Sequence, residues 1–83
     1  MSGVNAITID DLFAIDKGRG ISFKITRIYQ SAVEVAMMIG DLKCSYAYDA
    51  IHGDEYKELV LREIRYRADE LYNHYLKRME NIM

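Results

Sequence analysis

Residues 21–48 read ISFKITRIYQSAVEVAMMIGDLKCSYAY, and the way this stretch divides decides the fold. Apolar side chains recur at Ile21, Ile25, Ile28, Ala32, Val35, Ile39, Leu42 and Tyr46, a run of four-three spacings that matches one face of a helix. A second pattern competes with it. Ile21, Phe23 and Ile25 alternate with Ser22, Lys24 and Thr26 as in a half-buried strand, and Gly40-Asp41 could close a tight hairpin between 33–39 and 42–48. The alternation breaks at Arg27-Ile28, whereas the four-three spacing holds through all eight positions, so the stretch is expected to be helical. Ser31 and Glu34 stand in capping-box relation, which would start a fresh helix at Ala32. Gly40 costs about 1 kcal/mol inside a helix relative to alanine and predicts a kink there. Between Ala32 and Ile39 only Glu34 is polar, and a helical turn apolar nearly all round must be covered on every side.

The flanking segments carry clearer helix signals. Thr8 and Asp11 have N-cap and N3 spacing, Asp10 and Asp11 suit a helix start, Ile9, Leu12 and Phe13 share a face, and Gly18 is placed to end the helix in a left-handed conformation. Met1 to Ala6 has no pattern, and the region from Asp49 to Asp54, with Gly53, reads as a connection. From Asp54 onward, Leu61, Ile64, Ala68, Leu71, Tyr75 and Ile82 form one stripe, widened by Val60, Tyr72, Leu76 and Met79. Glu58 with Arg62 and Glu63 with Arg67 are acid-before-base pairs four residues apart.

These elements predict an all-α single domain spanning residues 1–83. It consists of a short N-terminal helix and a long helical hairpin, and two copies would close into a four-helix bundle as a homodimer. The alternative is an α+β fold with a small antiparallel sheet over residues 21–48 and a long C-terminal helix. A chain of 83 residues is near the lower limit for a self-sufficient core, which also favours self-association.

Composition bounds the function. The net charge of −2 is spread evenly along the chain, and the arginines near the C-terminus alternate with Glu58, Glu63, Asp69 and Glu70, so nucleic acid is not the expected partner. The longest apolar run, Val35 to Ile39, is far short of the roughly 20 residues a membrane span needs, and a cytoplasmic protein is expected. The single Cys44 cannot form an internal disulfide and reads as a small boundary residue. Glu70 and His74 lie one helical turn apart, but no further ligand is spaced to join them around a metal. No nucleotide loop or nucleophile arrangement stands out, so no cofactor and no enzymatic activity are expected.

Two sets of residues remain as candidate sites. Lys17, Gly18, Arg19, Gly20, Lys24 and Arg27 lie in an acid-free stretch at what would be the positive pole of the central helix, where a nucleotide or other phosphorylated small molecule could bind. Val33, Val35, Met37, Met38, Ile39, Leu42, Tyr46, Tyr48, Tyr72 and Tyr75 form an apolar and tyrosine-rich surplus suited to a protein interface. The leading expectation is a small regulator or inhibitor that binds a partner protein as a homo-oligomer. Sequestration of a phosphorylated ligand comes second, and a small nucleic-acid-binding regulator third.

Overall fold

A computed structural model describes residues 7–50 and 54–82, without the side chains of Asp54 and Ile82. The expectations for Met1 to Ala6 and for the connection at His52 and Gly53 lie outside these residues. The chain runs α1 (Ile9–Asp16), β1 (Ser22–Tyr29), β2 (Ala32–Ile39), β3 (Leu42–Asp49) and α2 (Asp54–Ile82). It is an α+β fold, and the all-α helical hairpin and its four-helix bundle are corrected: residues 21–48 form the three-stranded antiparallel sheet of the alternative reading, in the order β1-β2-β3.

The physical reason lies in phase. Val33, Val35, Met37 and Ile39 alternate on β2 and are all buried, and they pair across the ladder with Tyr48, Tyr46, Cys44 and Leu42 on β3. Phe23 and Ile25 on β1 continue the same face opposite Met37 and Val35. The break in alternation at Arg27-Ile28 is a register shift between Arg27 and Tyr29, immediately before the Gln30-Ser31 turn. The four-three series mixes the two faces of the sheet: Ile25, Val35, Ile39, Leu42 and Tyr46 lie on the core side, whereas Ile28 is exposed at the register shift and Ala32 is out of phase with the buried Val33. Valine, isoleucine, tyrosine and phenylalanine also favour the pleated sheet.

Helices α1 and α2 cover one face of the sheet. Leu12 and Ile15 of α1 and Val60, Ile64, Ala68 and Leu71 of α2 join the buried strand residues in one core. The expected Thr8–Asp11 capping box is present: the Asp11 amide donates to Thr8 Oγ1 at 3.1 Å and the Thr8 amide donates to Asp11 Oδ2 at 2.9 Å. Of the face expected on α1 only Leu12 is buried, while Ile9 and Phe13 are exposed. The helix ends with Lys17 and Gly18 at φ of 54° and 77°. Asp16 then holds the corner into β1, its carboxylate accepting from the Gly20 and Ile21 amides at 3.0 Å each.

Helix α2 runs antiparallel to β3 above β2 and β3, and its stripe divides where the sheet ends. Residues as far as Tyr75 pack on the core, whereas Leu76 and Met79 project past it, each 41% exposed. The molecule is accordingly long, 51 × 22 × 16 Å. No helix among the described residues is long and apolar enough to cross a membrane. Glycine is required at position 40 for two reasons. Its φ of 62° opens the two-residue β2–β3 turn, and a Cβ there would lie 2.9 Å from Cε1 of Tyr75.

Gly40→Ala is therefore expected to lower stability by about 2 kcal/mol in urea titrations, from backbone strain and displacement of the Tyr75 ring. The loss should shrink in a Tyr75→Ala background, where only the strain remains. Asp16→Ala, which leaves two amides at the α1–β1 corner without their acceptor, is expected to cost about 2 to 4 kcal/mol in the same measurement.

Candidate functional site

The glycine-flanked bases do not form the expected anion pocket. Residues 22–29 are a strand, so the proposed positive helix pole does not exist, and the Gly20 and Ile21 amides are taken by Asp16. Arg19 faces inward. Its Nη2 donates to the Ile15 carbonyl at 2.9 Å, its Nε to the Asp16 carbonyl at 2.9 Å and its Nη1 to Asp69 at 2.8 Å, with the guanidinium 5.3 Å from the Tyr72 ring centre. Arg19 thus caps α1 and ties it to α2. Lys17 and Gly18 end α1, Lys24 lies on the uncovered sheet face, and Arg27 donates to the Gln30 carbonyl at the far turn. The structure does not bring these bases together.

The expected interface set also divides. Val33, Val35, Met37, Ile39 and Tyr48 are buried in the chain's own core, so a partner is not needed to cover them. Met38 is 43% exposed on the opposite face. Leu42, Tyr46, Tyr72 and Tyr75 are half-buried at the borders of the core.

Among the described residues, two concave surfaces have a mainly apolar lining. The uncovered sheet face, lined by Lys24, Thr26, Glu34, Ala36, Met38 and Lys43 among others, forms an open hollow of about 590 Å³ with no helix or loop as a wall. The second is a groove of about 270 Å³ between β3 and α2, with Leu42, Cys44 and Leu71 as its apolar base and Lys43, Arg67, Glu70 and His74 around it. Strand alternation supplies Leu42 and Cys44, and the helical 4-3-4 spacing of 63, 67, 70 and 74 places the charged row beside them. Toward the start of α2 the groove meets Tyr46, whose ring lies 5.0 Å beneath the Arg67 guanidinium and is stacked 6.4 Å from Tyr48. Arg67 also donates to Glu63 at 3.0 Å, and Glu70 accepts the Tyr66 hydroxyl at 3.0 Å.

The open side of the groove is a sheet edge. Ile39 and Leu42 flank the two-residue turn as a pair, so alternate ladder bonds direct the main chain of Leu42, Cys44 and Tyr46 toward β2 and that of Lys43, Ser45 and Ala47 away from it. The groove therefore joins a row of outward main-chain donors and acceptors to an apolar channel. It offers hydrogen bonding and side-chain space, but no activated nucleophile: burial pushes the Cys44 thiol above its usual range, with Glu70 adding to the shift against Arg67. Burial likewise raises the Tyr46 and Tyr48 phenols. Among the described residues no three His, Cys, Asp or Glu side chains gather as a metal set.

The groove is not visible from the sequence as long as Leu42 and Tyr46 are placed on a helix and Glu70 with His74 stands as an isolated pair. The alternation of Leu42, Cys44, Tyr46 and Tyr48 directly after Gly40-Asp41 was the signal available. Comparison with protein-family models, curated proteins and solved structures finds no match to this chain.

Cys44 is expected to react with iodoacetamide at pH 8 at least about fivefold more slowly than a free cysteine, because its raised pKa and partial burial both lower the accessible thiolate. The rate should reach that of a free cysteine in denaturant; equal rates in buffer would show an open thiol.

Proposed function

We propose that this chain is a small non-enzymatic binding protein that takes an extended segment of another polypeptide onto the β3 edge, beside α2, and so occupies or modulates that partner. The observation that carries the reading is the coincidence of an eight-residue edge strand with an apolar groove along the adjoining helix. In strand addition, main-chain hydrogen bonds supply affinity and pockets for alternate side chains supply selectivity. The outward groups of Lys43, Ser45 and Ala47 fit the first requirement. The space above Leu42, Cys44 and Leu71 fits the second.

The opposite edge is less suited to this role. β1 carries a register shift just before the turn in which the non-glycine Gln30 has φ 46°, and its last residues, Arg27, Ile28 and Tyr29, are exposed. A bulge and charged side chains are the usual means of blunting a sheet edge. β3 pairs with β2 in unbroken register along its whole length and has no proline. Its edge is regular where that of β1 is not.

Peptides selected from a random display library are expected to carry apolar residues at alternate positions. Their binding should perturb the amide resonances of Lys43, Ser45 and Ala47. Ser45→Pro removes an outward donor without touching the β2–β3 ladder. It should weaken the selected peptides by about tenfold or more while shifting the melting temperature by only a few degrees. Equal binding by the variant and the parent chain would refute strand addition.

A further inference from the structure

We infer that the segment taken up at the β3 edge is, in the free protein, β3 of a second copy of this chain, giving a two-fold dimer with a continuous six-stranded sheet. This rests on the strand-addition reading and names its occupant. The argument begins with how α2 lies along β3. Leu42 and His74 line the same end of the groove, and Tyr46 lies beneath Arg67. Four strand residues at about 3.3 Å each thus run beside seven helix residues at about 1.5 Å each, roughly 13 Å of strand against roughly 10 Å of helix running in the opposite direction. On this scale Ser45 lies level with the Ala68–Asp69 step of α2.

The polar side chains that border the groove are spaced symmetrically about that step, with Arg67 and Glu70 of opposite sign on either side of it. They run Glu63, Arg67, Glu70, His74. A two-fold axis through Ser45 exchanges the positions of 63 and 74 and those of 67 and 70, so Arg67 of each copy meets Glu70 of the other, and Glu63 meets His74. Two neighbouring registers keep the outward main-chain groups in step but lose the pairing of Arg67 with Glu70. Centring on Cys44 brings Arg67 against His74, and centring on Tyr46 brings Arg67 against itself. The Ser45 register also places Lys43 opposite Ala47 and Ser45 opposite its own equivalent; Asp49 falls opposite the turn residue Asp41, but these carboxylates already have partners in their own chain, Ser31 and Arg78.

The spacing suits direct helix contact as well. Strands pair about 4.8 Å apart, and α2 sits above β2 and β3, inside the edge, so the two copies of α2 come to lie roughly 10 Å apart, as packed helices do. Leu42 and Cys44 then lose their remaining exposure to solvent above the already buried Leu71, and the groove becomes the middle of a shared core.

Sedimentation equilibrium of the full chain tests this. The parent chain is expected to be dimeric at micromolar concentration. Ser45→Pro and Arg67→Glu should each raise the dimer dissociation constant about tenfold or more. The double variant Arg67→Glu/Glu70→Arg, which restores opposite signs across the axis, should return it to within about threefold of the parent value. In a Cys44→Ser background, Ser45→Cys should give a covalent dimer on mild oxidation, since the paired positions fall within disulfide reach, about 5.5 Å between Cα atoms. A monomeric parent chain whose selected peptides are still lost with Ser45→Pro would overturn the dimer and leave strand addition intact. A dimer indifferent to Ser45→Pro and to Arg67→Glu would overturn this interface.

Discussion

The structure depends on a single match of length and phase, the seating of α2 along β2 and β3. The helix contributes Val60, Ile64, Ala68 and Leu71, which cover the alternating face of Val33, Val35, Met37 and Ile39. Tyr75 closes the far end against Gly40, where only glycine leaves room for the ring. Because every inward residue of β2 is covered in this way, the register of the sheet is fixed: a one-residue slip would turn Glu34, Ala36 and Met38 into the core. Helix α1 completes the layer with Leu12 and Ile15. Its own position is held by Arg19, which reaches Asp69 and lies over Tyr72, and by Lys57, whose Nζ is 3.5 Å from Asp11.

Two helices on a three-stranded sheet cannot treat its two edges alike. With α1 occupying part of the layer, α2 lies above β2 and β3 and leaves a channel beside the β3 edge rather than a sealed border. The outer face of the sheet is different in kind, since Lys24, Thr26, Glu34, Lys43 and Ser45 are at home in water and two small alanines, Ala36 and Ala47, lie among them. A solvated face is ordinary in an antiparallel sheet. An unpaired, regular edge beside an apolar channel is not, because it leaves main-chain groups and an apolar floor open side by side.

The terminal helices were legible from local chemistry. Thr8 and Asp11 specify a capping box by identity and spacing alone, and the long stripe beginning at Val60 and Leu61 needs no tertiary information. The central stretch was not legible in the same way. Helical and strand periods can both be fitted to a meander once turns and a bulge interrupt it. The position of Gln30 at positive φ is invisible in a sequence where glycine or asparagine would have announced the turn. The deciding local cue was Gly40-Asp41, which fits a hairpin better than a kinked helix. The misassignment carried the anion site with it, because that site required free amides at a helix start, and those amides instead belong to Asp16.

The charged row on α2 shows why placement, rather than residue type, separates a solvated surface from a recognition surface. Glu63 with Arg67 is an ordinary pair four residues apart, and half-exposed pairs of this kind add only about 0.3 to 0.5 kcal/mol to a helix. On that ground alone the row would mean little. Its consequence comes from the strand beneath it: Arg67 is held above Tyr46 between Glu63 and Glu70, and Glu70 borders the space above Cys44, so charges of alternating sign stand at fixed heights along an open ladder. Any strand entering that ladder must choose a register in steps of two residues, and each step shifts the incoming side chains by about 7 Å relative to these charges. Main-chain bonding is indifferent to that choice. The charged row is what makes one register differ from the next.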